Sequence, residues 1–138
     1  MAITIPDPPT GTPVVDRETE LVVQRKNTEW FIAWHPMDIT LIPRIRVKSG
    51  TGSKYVDGSP RRVQRMRLIP QNETTRPLFT DEGKERVITH TLLGLWDADV
   101  AVGDHWTDLD GATYEVLDVA TPPNGYETKA MIEQHGNR

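Results

Sequence analysis

The chain contains no cysteine, which excludes a disulfide framework, a thiolate metal site and a cysteine nucleophile. Serine occurs only as Ser49, Ser53 and Ser59, and none sits in the G-x-S-x-G elbow that exposes a hydrolase nucleophile. The four histidines, His35, His90, His105 and His135, show none of the HxH, HxxxH or HExxH spacings that aim two imidazoles at one metal ion. Long apolar runs are missing too. No stretch approaches the ~20 residues needed to cross a bilayer as a helix. Residues 1–15 carry neither a basic start nor an apolar core, so the chain is expected to be made without export. Only 36% of residues are hydrophobic and the mean hydropathy is −0.52, so 138 residues should form one domain of modest core with peripheral arm or loop.

What is abundant is punctuation. Eleven prolines and ten glycines separate short runs rich in valine, isoleucine, threonine and aromatic residues, a pattern of strands and turns. Residues 1–18 hold Pro6, Pro8, Pro9 and Pro13 and read as an extended arm. Glu20–Lys26 and Thr28–His35 read as two strands joined by a tight turn, with Trp30 and Trp34 on one face and Pro36 as the stop. Asp38–Lys48 alternates cleanly: Ile39, Leu41, Ile45 and Val47 on one side, Thr40, Arg44, Arg46 and Lys48 on the other. Pro43 within it withholds a ladder donor, so it belongs at an edge or bulge. The Gly/Ser-rich stretch 49–60 predicts a mobile loop, after which Arg61–Ile69 resumes as strand. Residues 38–69 therefore form one long hairpin with a large basic tip.

Residues 70–83 connect, with a short helix conceivable around Thr80–Arg86. Lys84–Leu95 predicts a central strand, apolar on both faces. Gly103-Asp104 marks a turn, and Asp110-Gly111 a type I′ hairpin. Thr113–Val119 and Tyr126–Glu133 follow as strands, separated by Pro122-Pro123-Asn124-Gly125. The expected fold is all-β: a small β-barrel over residues 19–134, with loop 48–62 projecting, an extended N-terminal arm over 1–18 and a frayed tail over 135–138.

The net charge of −4 conceals segregation. Arg44, Arg46, Lys48, Lys54, Arg61, Arg62, Arg65 and Arg67 face one acid, Asp57, in that stretch. Asp97, Asp99, Asp104, Asp108, Asp110, Glu115 and Asp118 follow with no Lys or Arg among them. Three readings stand open: two solvated faces, complementarity between copies of the chain, or a basic surface turned to a polyanion.

The acidic stretch invites a calcium site and fails it. Counting an EF-hand loop from Asp104 puts Trp106 at the third position and Leu109 at the sixth, where an oxygen ligand and a glycine belong. GTGSK, residues 50–54, lacks the spacing of a phosphate-binding loop and no helix follows it. Paired carboxylates such as Asp97/Asp99 and Asp108/Asp110 are ordinary in acidic turns. No catalytic residue, cofactor or metal ligand set emerges, and no enzyme is expected.

The C-terminal third carries a more specific pattern. An aliphatic-Gly-Asp turn (Val102-Gly103-Asp104), an Asp-Gly hairpin (Asp110-Gly111), a Tyr-x-Val strand (Tyr114, Val116) and a last aromatic-led strand (Tyr126–Ile132) follow one another. Upstream, ITLIPRIRV, the Gly-rich loop and PRRVQRMRLIP are arranged as a long hairpin. Together, over residues 30–133, these features resemble the head-closure (stopper) family of long-tailed phages. That resemblance implies a β-barrel subunit of the virion neck, made in the host cytoplasm and assembled as a homo-oligomeric ring, usually a hexamer. The ring would lie between a portal-side or adaptor ring and a tail terminator or other tail protein. It implies loops that close the channel on double-stranded DNA without reading sequence, and no membrane partner. By position, Lys48, Lys54, Tyr55, Arg61 and Arg62 become the channel-loop candidates. Arg44, Arg46, Arg65, Arg67, Asp97, Asp99, Asp104 and Asp108 become candidates for subunit contacts. A tail-terminator or other connector-ring role is the near alternative, although terminators are mixed α/β and adaptors largely helical. A nucleic-acid-binding barrel using Arg44, Arg46, Arg61, Arg62, Arg65 and Arg67 is the alternative from another class. The negative net charge and the lack of aromatics interleaved with that stretch weigh against it.

Overall fold

The computed structural model describes residues 17–71, 76–79, 85–120 and 125–136. Among these residues, apart from one helix, the architecture is β, built on a nearly closed six-stranded antiparallel sheet. The proline-bearing arm lies, up to Asp16, outside the described residues.

The helix, α1 (Arg17–Trp34), corrects the expectation of two strands over 20–35. Leu21, Thr28 and Ile32 turn toward the barrel, Ile32 almost wholly buried, at the i, i+7, i+11 spacing of one helix face. Glu18 and Glu20 in the first turn complement the N-terminal end of the helix dipole. Pro36 disfavours helical geometry at His35 and so limits the far end. Density of β-branched and aromatic residues suggested strands here; the Glu, Gln, Arg and Lys between them are strong helix formers.

The barrel follows in chain order: β1 (Met37–Ile39), then the hairpin β2 (Arg44–Ser49) and β3 (Gly52–Asp57), then β4 (Gln64–Pro70). A second two-stranded unit, β5 (Arg76–Phe79) with β6 (Glu85–Ile88), precedes β7 (His90–Leu95), β8 (His105–Thr107), β9 (Ala112–Val119) and β10 (Glu127–Gly136). The six-stranded order is β1-β4-β7-β10-β9-β8. Ile42 bridges back to His105, with N–O distances of 2.9 and 3.0 Å. This draws the β8 edge toward the extension of β1 and removes most of the open edge.

The expected hairpin over 38–69 is present at its base, where Met37, Asp38 and Ile39 pair with Met66, Arg65 and Gln64. Its tip is not a loose loop. From Arg44↔Asp57 to Ser49↔Gly52 the two strands stay in register, closed by Gly50 (φ 62°) and Thr51. A single strand over 38–48 is likewise corrected: Pro43 is where the chain leaves the barrel. Ile39 and Leu41 before it are buried, whereas Ile45 after it is 47% exposed.

Thr89 divides the expected strand 84–95 into β6 and β7. β7 is central, between β4 and β10. The Asp110-Gly111 turn is not type I′, because Asp110 keeps a negative φ. Gly111 alone is positive (φ 91°), and its N–H donates to the Asp108 carbonyl at 3.1 Å. A type I turn with glycine in the left-handed position results. β10 continues past its expected end to Gly136, since His135 pairs with Thr113 of β9. The residues expected in a helix near 80–86 are outside the described residues up to 84; Glu85 onward is strand.

The core gathers Ile39, Leu41, Met66, Leu92, Trp106, Ala112, Tyr114, Val116, Ala130 and Ile132. Trp106 stacks on Tyr114 at 4.8 Å, and the His90 ring stands nearly perpendicular to that of Tyr114 at 5.6 Å. At Gly94 an added Cβ would come 2.9 Å from Ala98 Cβ and 3.3 Å from Met66, so the 96–104 loop packs onto β7 only because no side chain intervenes.

Candidate functional site

The basic and acidic segments that the sequence separates meet within one chain. Arg61 precedes β4, and its N–H donates to the Leu41 carbonyl at 2.8 Å. Its guanidinium forks onto Asp104, Nε to Oδ2 at 2.8 Å and Nη2 to Oδ1 at 3.1 Å, with Nη1 donating to Asp99 at 3.1 Å. Asp104 is 1% exposed and also accepts from the Ala101 N–H at 3.0 Å. The hydrogen bond to Asp104, outweighing partial burial, raises the Arg61 pKa further above its ordinary value. Beside it, the Gln64 amide imitates a strand partner: it donates to the Asp99 carbonyl at 3.0 Å and accepts from the Asp99 N–H at 2.6 Å. Arg62 donates to the Asp97 carbonyl at 2.9 Å. These bonds form a clasp that fixes loop 96–104 against β4. A bidentate arginine on a buried carboxylate is the strong form of an ion pair, and removing either partner would strand a buried charge.

A second cluster lies on β9, β10 and β6. Glu115 and Glu133 are direct cross-strand partners, an arrangement that repels unless neutralised. Arg86 neutralises it, donating to Glu115 at 2.6 Å and to Glu133 at 2.7 Å. The Val87 N–H also donates to Glu133 at 2.9 Å. Arg44 stands 3.6 Å from Glu115 and His135 3.3 Å from both carboxylates. Burial alone would push the Glu115 carboxyl up, but the Arg86 hydrogen bond and charge, with Arg44 and His135, hold it below its ordinary value. Glu115, Glu133 and His135 are the donor types a divalent cation would take, yet a guanidinium bonds both carboxylates. The arrangement is an internally balanced network.

Beyond its base the β2–β3 hairpin stands apart from both clusters. Its base is held by Arg44 to Glu115 and by the ring of His105 to Asp57 at 2.8 Å. Beyond the base, Val47 alone is partly covered; the rest is exposed on both faces. Register places Arg46 opposite Tyr55 and Lys48 opposite Ser53 on one face. Ile45 opposite Val56 and Val47 opposite Lys54 occupy the other. Arg46 donates to Ser53 Oγ at 2.8 Å; Lys48 and Lys54 have no acidic partner among the described residues. An isolated two-stranded ribbon is marginal by itself, so this one gains order from whatever it touches.

The residues named from sequence therefore separate. Of the channel-loop set, Lys48, Lys54 and Tyr55 lie on the hairpin, while Arg61 and Arg62 belong to the clasp on the barrel. Of the subunit-contact set, Asp99, Asp104 and the Asp97 carbonyl are in that clasp. Asp108 caps its own turn, accepting from the N–H groups of Asp110 and Ala112 and from the Tyr114 hydroxyl at 2.9, 3.0 and 3.1 Å. Burial, then that bond, raises the Tyr114 pKa. Arg65 meets Asp38 at 3.9 Å with both side chains over 60% exposed, a contact worth under about 1 kcal/mol. Arg67 donates to the Phe31 carbonyl at 3.0 Å and stacks over its ring, tying α1 down. Arg46 remains on the hairpin. Sequence reasoning missed Arg86, Glu133 and His135, whose roles exist only through strand register. It also missed Arg25, which stacks on Trp96 at 3.8 Å and donates to the Gly125 carbonyl at 2.9 Å. Comparison with known proteins finds no family model that matches this chain and no curated protein significantly similar to it.

Proposed function

We propose that this protein is a structural subunit of a phage neck, a stopper ring that joins the portal side of the head to the tail and closes the DNA channel. It performs no catalysis in this reading. The observation that carries it is a nearly closed small barrel with a basic hairpin projecting from one flank. The Gly103-Asp104 and Asp110-Gly111 turns, which carry the resemblance to head-closure proteins, agree with it. The channel-facing residues are Arg46, Lys48 and Tyr55, one face of the hairpin. Their charge meets phosphates without reading sequence, and a two-stranded ribbon attached only at its base swings at modest energetic cost.

The same inventory disfavours a free-standing nucleic-acid module. Five of its six arginines (Arg44, Arg61, Arg62, Arg65 and Arg67) contact a carboxylate or backbone carbonyl of the chain itself, and the sixth, Arg46, a serine hydroxyl.

Replacing Arg46–Tyr55 by Asn-Gly tests the reading, since Ile45↔Val56 is then left to close a short hairpin. The barrel should stay folded by circular dichroism, and particles carrying the variant should assemble and lose packaged DNA. Particles that retain their DNA normally, or a subunit found elsewhere than between head and tail, would refute it.

A further inference from the structure

Helix α1 has two faces of identical spacing. Leu21, Thr28 and Ile32 form the one against the barrel; Val23, Trp30 and Trp34 repeat the same i, i+7, i+11 pattern two residues later. Two residues of helix are a rotation of about 200°, so the second stripe points away from the barrel. It is bare: Trp30 is 72% exposed, Trp34 77% and Val23 51%. A tryptophan offers about 150–250 Å² of surface, so this pair alone presents on the order of 200–400 Å². A single helix face thus approaches the largest apolar patch an ordinary monomer shows.

A second, partly exposed apolar surface exists on the hairpin, where Ile45, its side chain lying against Gly58, pairs with Val56 across the strands, 47% and 37% exposed. The two surfaces sit on opposite flanks. Helix α1 lies on β4 and β7, second and third in the sheet order, whereas the hairpin base contacts β8 and β9, last and next to last. The hairpin beyond its base carries only cations, Arg46, Lys48 and Lys54, and α1 offers acids, Glu18, Glu20 and Glu29, beside Arg17, Arg25 and Lys26.

We infer that the Val23–Trp30–Trp34 face of one copy receives the Ile45–Val56 face of the next copy's hairpin, a head-to-tail contact between second copies of this chain. Two different surfaces on opposite flanks cannot satisfy each other in a symmetric dimer. They link copy after copy, closing as a ring or running as a filament. The contact gives the hairpin a division of labour: its apolar face is covered by the neighbour, and Arg46, Lys48 and Tyr55 on the other face stay free. It rests on the ring reading above for its setting and adds the surfaces that build the ring.

The test uses the full chain and sedimentation velocity over a concentration series. Wild type should self-associate. Trp30→Ser/Trp34→Ser and Ile45→Glu/Val56→Glu should each weaken association by about thirtyfold or more, the scale of buried tryptophan anchors, with unchanged circular dichroism. Mixing the two variants should restore a single contact and give 1:1 dimers, because each keeps the surface the other lost. Because the chain has no cysteine, Trp34→Cys and Val56→Cys introduced in separate chains should form one disulfide between copies, independent of whether the multiple substitutions fold well. A monomeric wild type, variants that associate normally, or a mixture without dimers overturns the contact. So does a Trp34→Cys thiol unreactive in the dilute monomer, which would mean that the chain's own N-terminal segment covers the face. Normal association by these variants leaves the neck reading standing, whereas loss of the neck location leaves this contact measurable.

Discussion

Arg61 and Arg46 are both arginines of the same basic stretch, and they have opposite fates. On the barrel, Arg61 turns all three guanidinium nitrogens to Asp104 and Asp99, and the buried carboxylate beneath it has no other cation among the described residues. On the hairpin, fifteen residues earlier in the chain, Arg46 reaches a serine hydroxyl and water. The difference lies in what stands behind each residue. β4 is backed by a core of Met66, Leu92 and Ile132, so the ends of the wall must be sealed, and charge seals them. Among the described residues no layer stands behind the hairpin, so its charges stay exposed. Clustered charge in a sequence thus says little until the fold decides which of it is consumed internally.

The largest test of this contrast is a pair of substitutions. Arg61→Ala should cost about 3–5 kcal/mol in chemical denaturation, because it leaves Asp104 buried and unpaired. Arg46→Ala should stay within about 0.5 kcal/mol, as exposed substitutions usually do. Equal losses at both positions would erase the distinction between wall and hairpin.

A somewhat smaller effect is expected at Arg86. Arg86→Leu should lose about 2–4 kcal/mol near neutral pH, since Glu115 and Glu133 then face each other across β9 and β10 with only the more distant Arg44 beside Glu115. The pH dependence should also invert. In the wild type the Glu115 carboxyl is held below its ordinary value of 4.5, so its contribution is present above that pH and is lost as pH falls through the lowered value. In the variant a carboxyl pair that resists ionising gains stability on acidification. Urea midpoints at several pH values between neutrality and acid distinguish the two slopes.

The smallest effect concerns His90, packed against Tyr114 inside the wall. Burial lowers its pKa from 6.5. Below 6.5 the unfolded chain takes up a proton that the folded ring resists, so stability falls with pH until the folded ring also protonates. His90→Phe should flatten that part of the profile by about 1 kcal/mol or less. Histidines at the rim, such as His135, offer no comparable burial.

Much of the barrel was legible because strand chemistry is local. Alternation around Tyr114 and Val116, the two apolar faces of the central strand at Leu92 and Leu93, and the turn at Gly103 all announce themselves within a few residues. The helix was not, because Val22, Val23, Trp30, Phe31 and Trp34 carry strand propensity, while the stripe that decides the matter, Leu21–Thr28–Ile32, includes a threonine and no continuous apolar face. The Gly/Ser stretch misled in the opposite direction: Gly52 and Ser53 suggest a loop, yet a two-residue turn at Gly50-Thr51 lets the next six residues pair. In the candidate site, opposite charges were visible, and their meeting inside one chain was not.

By itself the sequence determined the class of fold, the turns at Gly103-Asp104 and Asp110-Gly111 and the separation of basic from acidic segments, since period-two patterning and turn chemistry need only near neighbours. Tertiary structure alone decided that Arg61 faces Asp104 across 43 residues, that Glu115 and Glu133 require Arg86, and that Trp30 and Trp34 point outward. Such facts depend on strand register and on which helix face meets the sheet. Those are set by the best joint burial of the whole chain, a quantity that no window of the sequence contains.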